Sequence, residues 1–291
     1  MTVSAENRID PATSIGAVQL TVADLERVQR FYEQAIGLET LERTDSLVRL
    51  GAGGETLVEL SGDPGAPPRP PGTTGLFHLA ILVPSRADLA RSLRRVVNAG
   101  GRFTGASDHH VSEALYLNDP EGNGIEIYRD RPRSEWRYSG GRLEMATLPL
   151  DLDELVAELG SDDPEGGPVP AGTRIGHVHL NVSDLDSSEA FYAGALGLDV
   201  TVRGYPGALF LSAGGYHHRI GLNTWAGEGA PPPPPGARGL ASYELQVPEA
   251  TDVERLTHRL ADSRIPFDQR DGSVTTSDPS GNRVLIRAQG R

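Results

Sequence analysis

The chain has 291 residues, of which 37% are hydrophobic and 23% charged, and its net charge is −13; that is room for one large globular domain or two ordinary ones. Acidity of this size argues against nucleic acid and anionic membrane surfaces as partners, and the absence of cysteine excludes disulfides and thiolate metal sites. No run approaches the roughly 20 apolar residues of a membrane span, and the start, MTVSAENRID, lacks the basic and apolar regions of a signal peptide, so a cytoplasmic location is expected.

Internal repeats set the organisation. Residues 15–38, IGAVQLTVADLERVQRFYEQAIGL, return as residues 175–198, IGHVHLNVSDLDSSEAFYAGALGL. Four modules follow in chain order. In module 1, about 14–62, VQLTV alternates like a strand. Asp24 stands at an N-cap, and helical spacing then runs on until Gly37. LVRLGA and ETLVELSG read as strands around a Gly-Gly turn, with room for one more strand. In module 2, about 75–130, FHLAILVP is a strand and RADLARSLRRVVNAGG a helix ending in glycine. ALYLNDPEGNGIEIYRD is a hairpin turning at Asp119-Pro120-Glu121-Gly122-Asn123. Module 3, about 173–225, offers HVHLNV, the helix SSEAFYAGALG, LFLSAG and HHRIGLN. Module 4, about 237–289, repeats the module 2 turn as Asp278-Pro279-Ser280-Gly281-Asn282. Proline-rich spacers, ELSGDPGAPPRPPGTT and AGEGAPPPPPGARG, join modules 1 to 2 and 3 to 4. The expected division is a first half over 1–135, a linker over 136–170 with a short amphipathic helix in LPLDLDELVAELG, and a second half over 171–291. The fold class is α+β, each half a pair of βαβββ modules.

The modules share the residues a fold needs and differ in polar ones. Seven of the eight histidines sit at or beside repeat positions. Ala17 of module 1 is replaced in module 3 by His177, and Gln19 by His179. Chemistry is the leading explanation for polar residues that the repeat does not require. His258, in LTHRL, reads as a helix-surface residue.

The motifs IGHVHLNVSDL, FYAGALGL and DPEGNGIEIY resemble the vicinal-oxygen-chelate superfamily, which includes glyoxalase I, the fosfomycin- and bleomycin-resistance proteins and the type I extradiol dioxygenases. The resemblance spans nearly the whole chain. GLFHLAILVP, DHHVSEALYLNDPEGNGIEIYRDRPRSEW and SAGGYHHRIGLN are more narrowly similar to the single-chain catechol 2,3-dioxygenases of Bacillus type. The resemblance implies a cup of curved sheet made by two modules around one divalent metal. Ligands come from the first strand of each paired module and from a glutamate on a last strand.

At the first-strand position the modules carry Ala17, His78, His177 and Ser242. At the last-strand position they carry Glu59, Glu126, about Gly221, and Leu285. The implied metal ligands are His78, Glu126 and His177, two imidazoles and a carboxylate, a set that suits Fe(II) in oxygenases. Mn(II) serves such sites too, and Zn(II) or Ni(II) would accompany glyoxalase chemistry. Extradiol enzymes ordinarily pair module 3 with module 4. Here the ligands require module 2 to pair with module 3, leaving modules 1 and 4 as a second cup without metal. Each residue also has a plain structural reading, for instance a satisfied polar residue at a strand start. Glu59, with His78 and Glu126, is a competing set one ligand short, and is read as structural.

The resemblance also implies an acid–base pair and a tyrosine. His218 fits one position, with His217 the alternate; His109 fits the other, with His110 the alternate. Tyr116, ten residues before Glu126, is expected to bond the substrate oxygen. His179 lies on the same side of its strand as His177, and its role stays open, as does that of Asn223 and Trp225 near the entrance. The expected activity is meta cleavage of a catechol by O2. The alternatives are a glyoxalase-type lyase or isomerase and a non-enzymatic drug-binding protein. The implied partners are a small aromatic substrate and O2, and proteins of this kind often associate into homo-oligomers.

Overall fold

The computed structural model describes residues 8–161, 163 and 166–290. Most of the opening decapeptide, and part of the linker between halves, lie outside the described residues. Four βαβββ units follow one another. Module 1 contains β1 (Ser14–Val22), α1 (Leu25–Phe31), β2 (Glu39–Arg43), β3 (Leu47–Ala52) and β4 (Glu55–Gly62). Module 2 contains β5 (Gly75–Leu82), α2 (Arg86–Asn98), β6 (Phe103–Asp108), β7 (Ser112–Asn118) and β8 (Gly124–Asp130). The linker carries a small ribbon, β9 (Tyr138–Ser139) with β10 (Arg142–Leu143), then β11 (Leu148–Pro149) and α3 (Leu152–Val156). Module 3 contains β12 (Arg174–Asn181), α4 (Leu185–Glu189), β13 (Asp199–Val202), β14 (Ala208–Ser212) and β15 (Ile220–Asn223). Module 4 contains β16 (Gly239–Val247), α5 (Ala250–Asp262), β17 (Phe267–Arg270), β18 (Ser273–Ser277) and β19 (Arg283–Ala288).

Local chemistry explains the boundaries. The Asp24 side chain accepts from the Arg27 N–H, and Asp184 from the Ser187 N–H, each capping its helix. Both helices then widen into a π turn, Tyr32–Ile36 and Ala190–Ala195. The first stops where Gly37 takes a φ of +87°, which favours glycine. The two Asp-Pro turns are built alike. Asp119 Oδ1 accepts from the Glu121 and Asn123 N–H groups, as Asp278 Oδ1 does from Ser280 and Asn282. In each turn the asparagine amide returns to the aspartate's other oxygen at 2.8 Å. The shared apolar residues form the core: Val18, Leu20 and Val22 are fully buried, and so are Val178, Leu180 and Val182. Each such side chain contributes roughly 1.5–3 kcal/mol of burial.

The modules pair across the halves, as the ligand pattern requires. One sheet runs β11-β6-β7-β8-β5-β12-β15-β14-β13, joining modules 2 and 3. The other runs β17-β18-β19-β16-β1-β4-β3-β2, joining modules 4 and 1. Each has an antiparallel seam between first strands, β5 with β12 and β1 with β16. One continuous apolar core draws residues from all four modules. No helix among the described residues is long and apolar enough to cross a membrane.

Candidate metal centre and active site

The parallel pairing inside each module fixes which positions are equivalent. Ala80 is opposite Glu126, His179 opposite Gly221, Gln19 opposite Glu59 and Glu244 opposite Leu285. The residue two before each of the first four is His78, His177, Ala17 and Ser242. His78 and His177 are therefore counterparts on the two strands of one seam, with Glu126 on the strand beside β5. The β5–β12 register shifts on either side of the segment His177–His179. Such irregularities re-aim side chains near sites.

His78 Nε2 lies 2.9 Å from Glu126 Oε2, and His177 Nε2 lies 3.1 Å from the same oxygen. All three residues are buried, and their ligand atoms lie within 4.8 Å of one another. Among the described residues no other group of three histidines or carboxylates has that arrangement. The donor set fits a divalent metal. His78 Nε2 is buried yet makes no well-directed hydrogen bond, and a buried polar atom of that kind calls for a partner. The electrostatics agree. Burial pushes His177 down to about 4, favouring the neutral ring. Burial also raises Glu126, but the adjoining His177 and His78 outweigh it and hold the carboxyl well below its ordinary value. A neutral imidazole and an ionised carboxylate are the forms that ligate metals.

His78 and Glu126 line a cavity of about 420 Å³, within the usual range for small-molecule sites. Tyr116 is the cross-strand partner of Glu126. Its hydroxyl is 2.7 Å from His109 Nε2, while His109 Nδ1 is 2.6 Å from the Ala146 carbonyl. A carbonyl only accepts, so His109 donates from Nδ1; a ring with that single proton accepts at Nε2 from the Tyr116 O–H. Burial, and after it the Glu126 charge, push Tyr116 well above its ordinary value and keep it a phenol.

His109 lines the cavity and its neighbour His110 does not. His218 likewise lines it, its ring centroid 4.0 Å from that of His177. His217 is fully buried behind His218, Nδ1 to Nδ1 at 2.7 Å. His179 lines the cavity among Phe77, Phe210 and Trp225. Gly221 makes room for it, since a Cβ there would come within 2.9 Å of its ring. Trp225 stands at the rim, 47% exposed, whereas Asn223 is buried away from the cavity. His258 is on the exposed face of α5. Glu59 does not join His78 and Glu126: it belongs to the other sheet, paired with Arg49 at 2.8 Å.

Several lining residues escaped the sequence reading. Phe77 adjoins His78, so strand alternation hides it. Tyr205 lies in a loop without a motif. Met145, Ala146 and Thr147 come from the linker and reach the site because Thr147 Oγ1 bonds the Tyr205 hydroxyl at 2.8 Å.

Residues 14–127 and 174–286 match the family described as the Glyoxalase/Bleomycin resistance protein/Dioxygenase superfamily. The chain belongs to that superfamily. It is 44% identical over 272 residues to the Catechol-2,3-dioxygenase of Bacillus subtilis (strain 168), covering 92% of this chain and 94% of that protein. Among solved structures it resembles a putative dioxygenase from B. subtilis, with a TM-score of 0.67 and 15% identity over 98% of this chain and 87% of the other. It also resembles glyoxalase I from Zea mays, with a TM-score of 0.56 and 16% identity over 94% and 92%. At those identities the two structures speak for the fold alone.

Proposed function

We infer that this protein is an extradiol dioxygenase that opens catechol, or a substituted catechol, beside its two hydroxyls with O2, and that its metal is Fe(II). One observation carries the reading: a buried His-Glu-His trio, two of whose members, His78 and Glu126, line an aromatic-walled cavity, in a chain 44% identical to a catechol dioxygenase over nearly its full length. His78, Glu126 and His177 hold the metal, and three protein ligands leave positions open. Once bound, the metal supplies Lewis acidity and a common template for both reactants.

The side chains do the rest. Phe77, Tyr205, Phe210 and Trp225 offer a flat ring apolar and edge contacts. The Tyr116 oxygen, its own proton given to His109, accepts a hydrogen bond from a substrate hydroxyl. His218 takes a hydroxyl proton and returns one later in the cycle, the task for which an imidazole is suited. His109, fixed by the Ala146 carbonyl, keeps the phenol aimed. A cytoplasmic location belongs to the same proposal.

The test is anaerobic loading with Fe(II), then catechol and O2. The yellow ring-opened semialdehyde is the expected product. Failure to turn over any member of a broad catechol panel, with turnover of a methylglyoxal–glutathione adduct instead, would overturn the reading.

A further inference from the structure

Behind His218 runs a chain of polar groups that do not line the cavity. His218 Nδ1 is 2.7 Å from His217 Nδ1, and His217 Nε2 is 2.9 Å from Asp130 Oδ1. The same Asp130 oxygen accepts from the Tyr216 hydroxyl at 3.1 Å, which in turn lies 2.7 Å from the Tyr128 hydroxyl. His217 is fully buried, and Asp130 is the end of the chain that meets solvent, its side chain 26% exposed. Direction follows from donor counting. An ionised carboxylate only accepts, so His217 donates from Nε2. Where His217 carries that one proton, its Nδ1 has a lone pair, and only a proton on His218 Nδ1 can fill the contact. What remains on His218 is Nε2, without a proton, on a ring that lines the cavity.

We propose that Asp130 and His217 are positioning residues: together they lock His218 in the Nδ1–H tautomer and present its Nε2 lone pair to the substrate. Neither residue touches the cavity. Asp130 stands on β8, the strand that carries Glu126, so one strand sets both the metal carboxylate and, through His217, the orientation of the base. A histidine without this backing would be free to turn its ring or protonate at Nε2, and would then have no lone pair to offer. The catalytic use of that lone pair rests on the dioxygenase reading; the tautomer does not.

The experiment is long-range 1H–15N correlation NMR on the full-length, 15N-histidine-labelled protein loaded with Zn(II) as a diamagnetic probe. The expected result is a His218 spectrum of the Nδ1–H type in the native protein. His217→Phe removes the acceptor while filling the space, and should turn His218 to the Nε2–H form. In the iron-loaded enzyme the same substitution should lower kcat about 10–100-fold, less than loss of a general base itself, with KM for catechol changed less than about threefold. Asp130→Leu should act in the same direction. An Nε2–H His218 in the native protein overturns the proposal without any variant. So does a His217→Phe protein that keeps both the native His218 tautomer and native kcat. An Nδ1–H His218 in a protein that cleaves no catechol would leave the orientation standing and overturn the dioxygenase reading instead.

Discussion

The two seams of this molecule are built on one plan and differ in what faces the carboxylate. In the β5–β12 seam Glu126 meets His78, His177 and Tyr116; in the β1–β16 seam Glu59 occupies the equivalent place. There Ala17 and Ser242 stand where the histidines would be. Arg49, opposite Glu59 as Tyr116 is opposite Glu126, ion-pairs with the carboxylate at 2.8 Å. Gln19 bonds the same carboxylate and accepts from Ser242 Oγ at 3.0 Å. Glu244, the counterpart of His179, is paired with Arg287 at 3.3 Å. A guanidinium is a permanent cation without a lone pair, so in this seam the chain supplies its own counter-charge. In the other it supplies lone pairs, which a metal can use. The fold permits a site twice, and a handful of side chains decide between ion pair and metal centre.

That comparison can be broken in order of effect. Glu126→Gln removes the one carboxylate of the proposed ligand set. Losing the several kcal/mol that a metal Lewis acid supplies predicts a fall in turnover of at least about 10³-fold, read by oxygen uptake with catechol. Tyr116→Phe keeps the ring and removes one hydrogen bond; a loss of about 10–100-fold in kcat/KM is expected, the worth of a bond to a charged or reacting group, with metal content unchanged by elemental analysis.

The silent seam can be sharpened by gain. Ala17→His with Ser242→His and Arg49→Tyr should raise the metal content from one to two per chain. The double substitution that keeps Arg49 should stay at one, because the arginine still occupies the carboxylate. The smallest effect falls on stability. Arg49→Met leaves the partly buried Glu59 without its cation but still bonded to Gln19, and should cost about 0.5–1 kcal/mol in urea unfolding, while dioxygenase turnover stays at the native level.

Much of this contrast is legible in the sequence. The residues the modules share, such as Leu20 and Leu180, are the buried ones, and the strand-helix-hairpin order follows their spacing. The absences at Ala17, Ser242 and Leu285 pointed to modules 2 and 3 as partners, and the sheet order bears that pairing out. Other features lacked a local signal. The π turns at Tyr32–Ile36 and Ala190–Ala195 keep the apolar spacing of an ordinary helix. Arg49 reads as a surface strand residue until the register sets it against Glu59. The choice of His218 over His217 depends on which ring faces the cavity, and adjacent residues in the loop before a short strand do not declare that. The linker's share of the cavity, Met145 to Thr147, is a long-range contact with no periodicity behind it.

The central claim is that the metal sits in the seam between modules 2 and 3 and nowhere else. Its most direct test is Fe(II) stoichiometry, measured anaerobically on the native chain, on His177→Ala and on the matching Ser242→Ala. The account predicts one iron per chain for the native protein and for Ser242→Ala, and none retained by His177→Ala. Full iron content in His177→Ala, or its loss in Ser242→Ala, would contradict it.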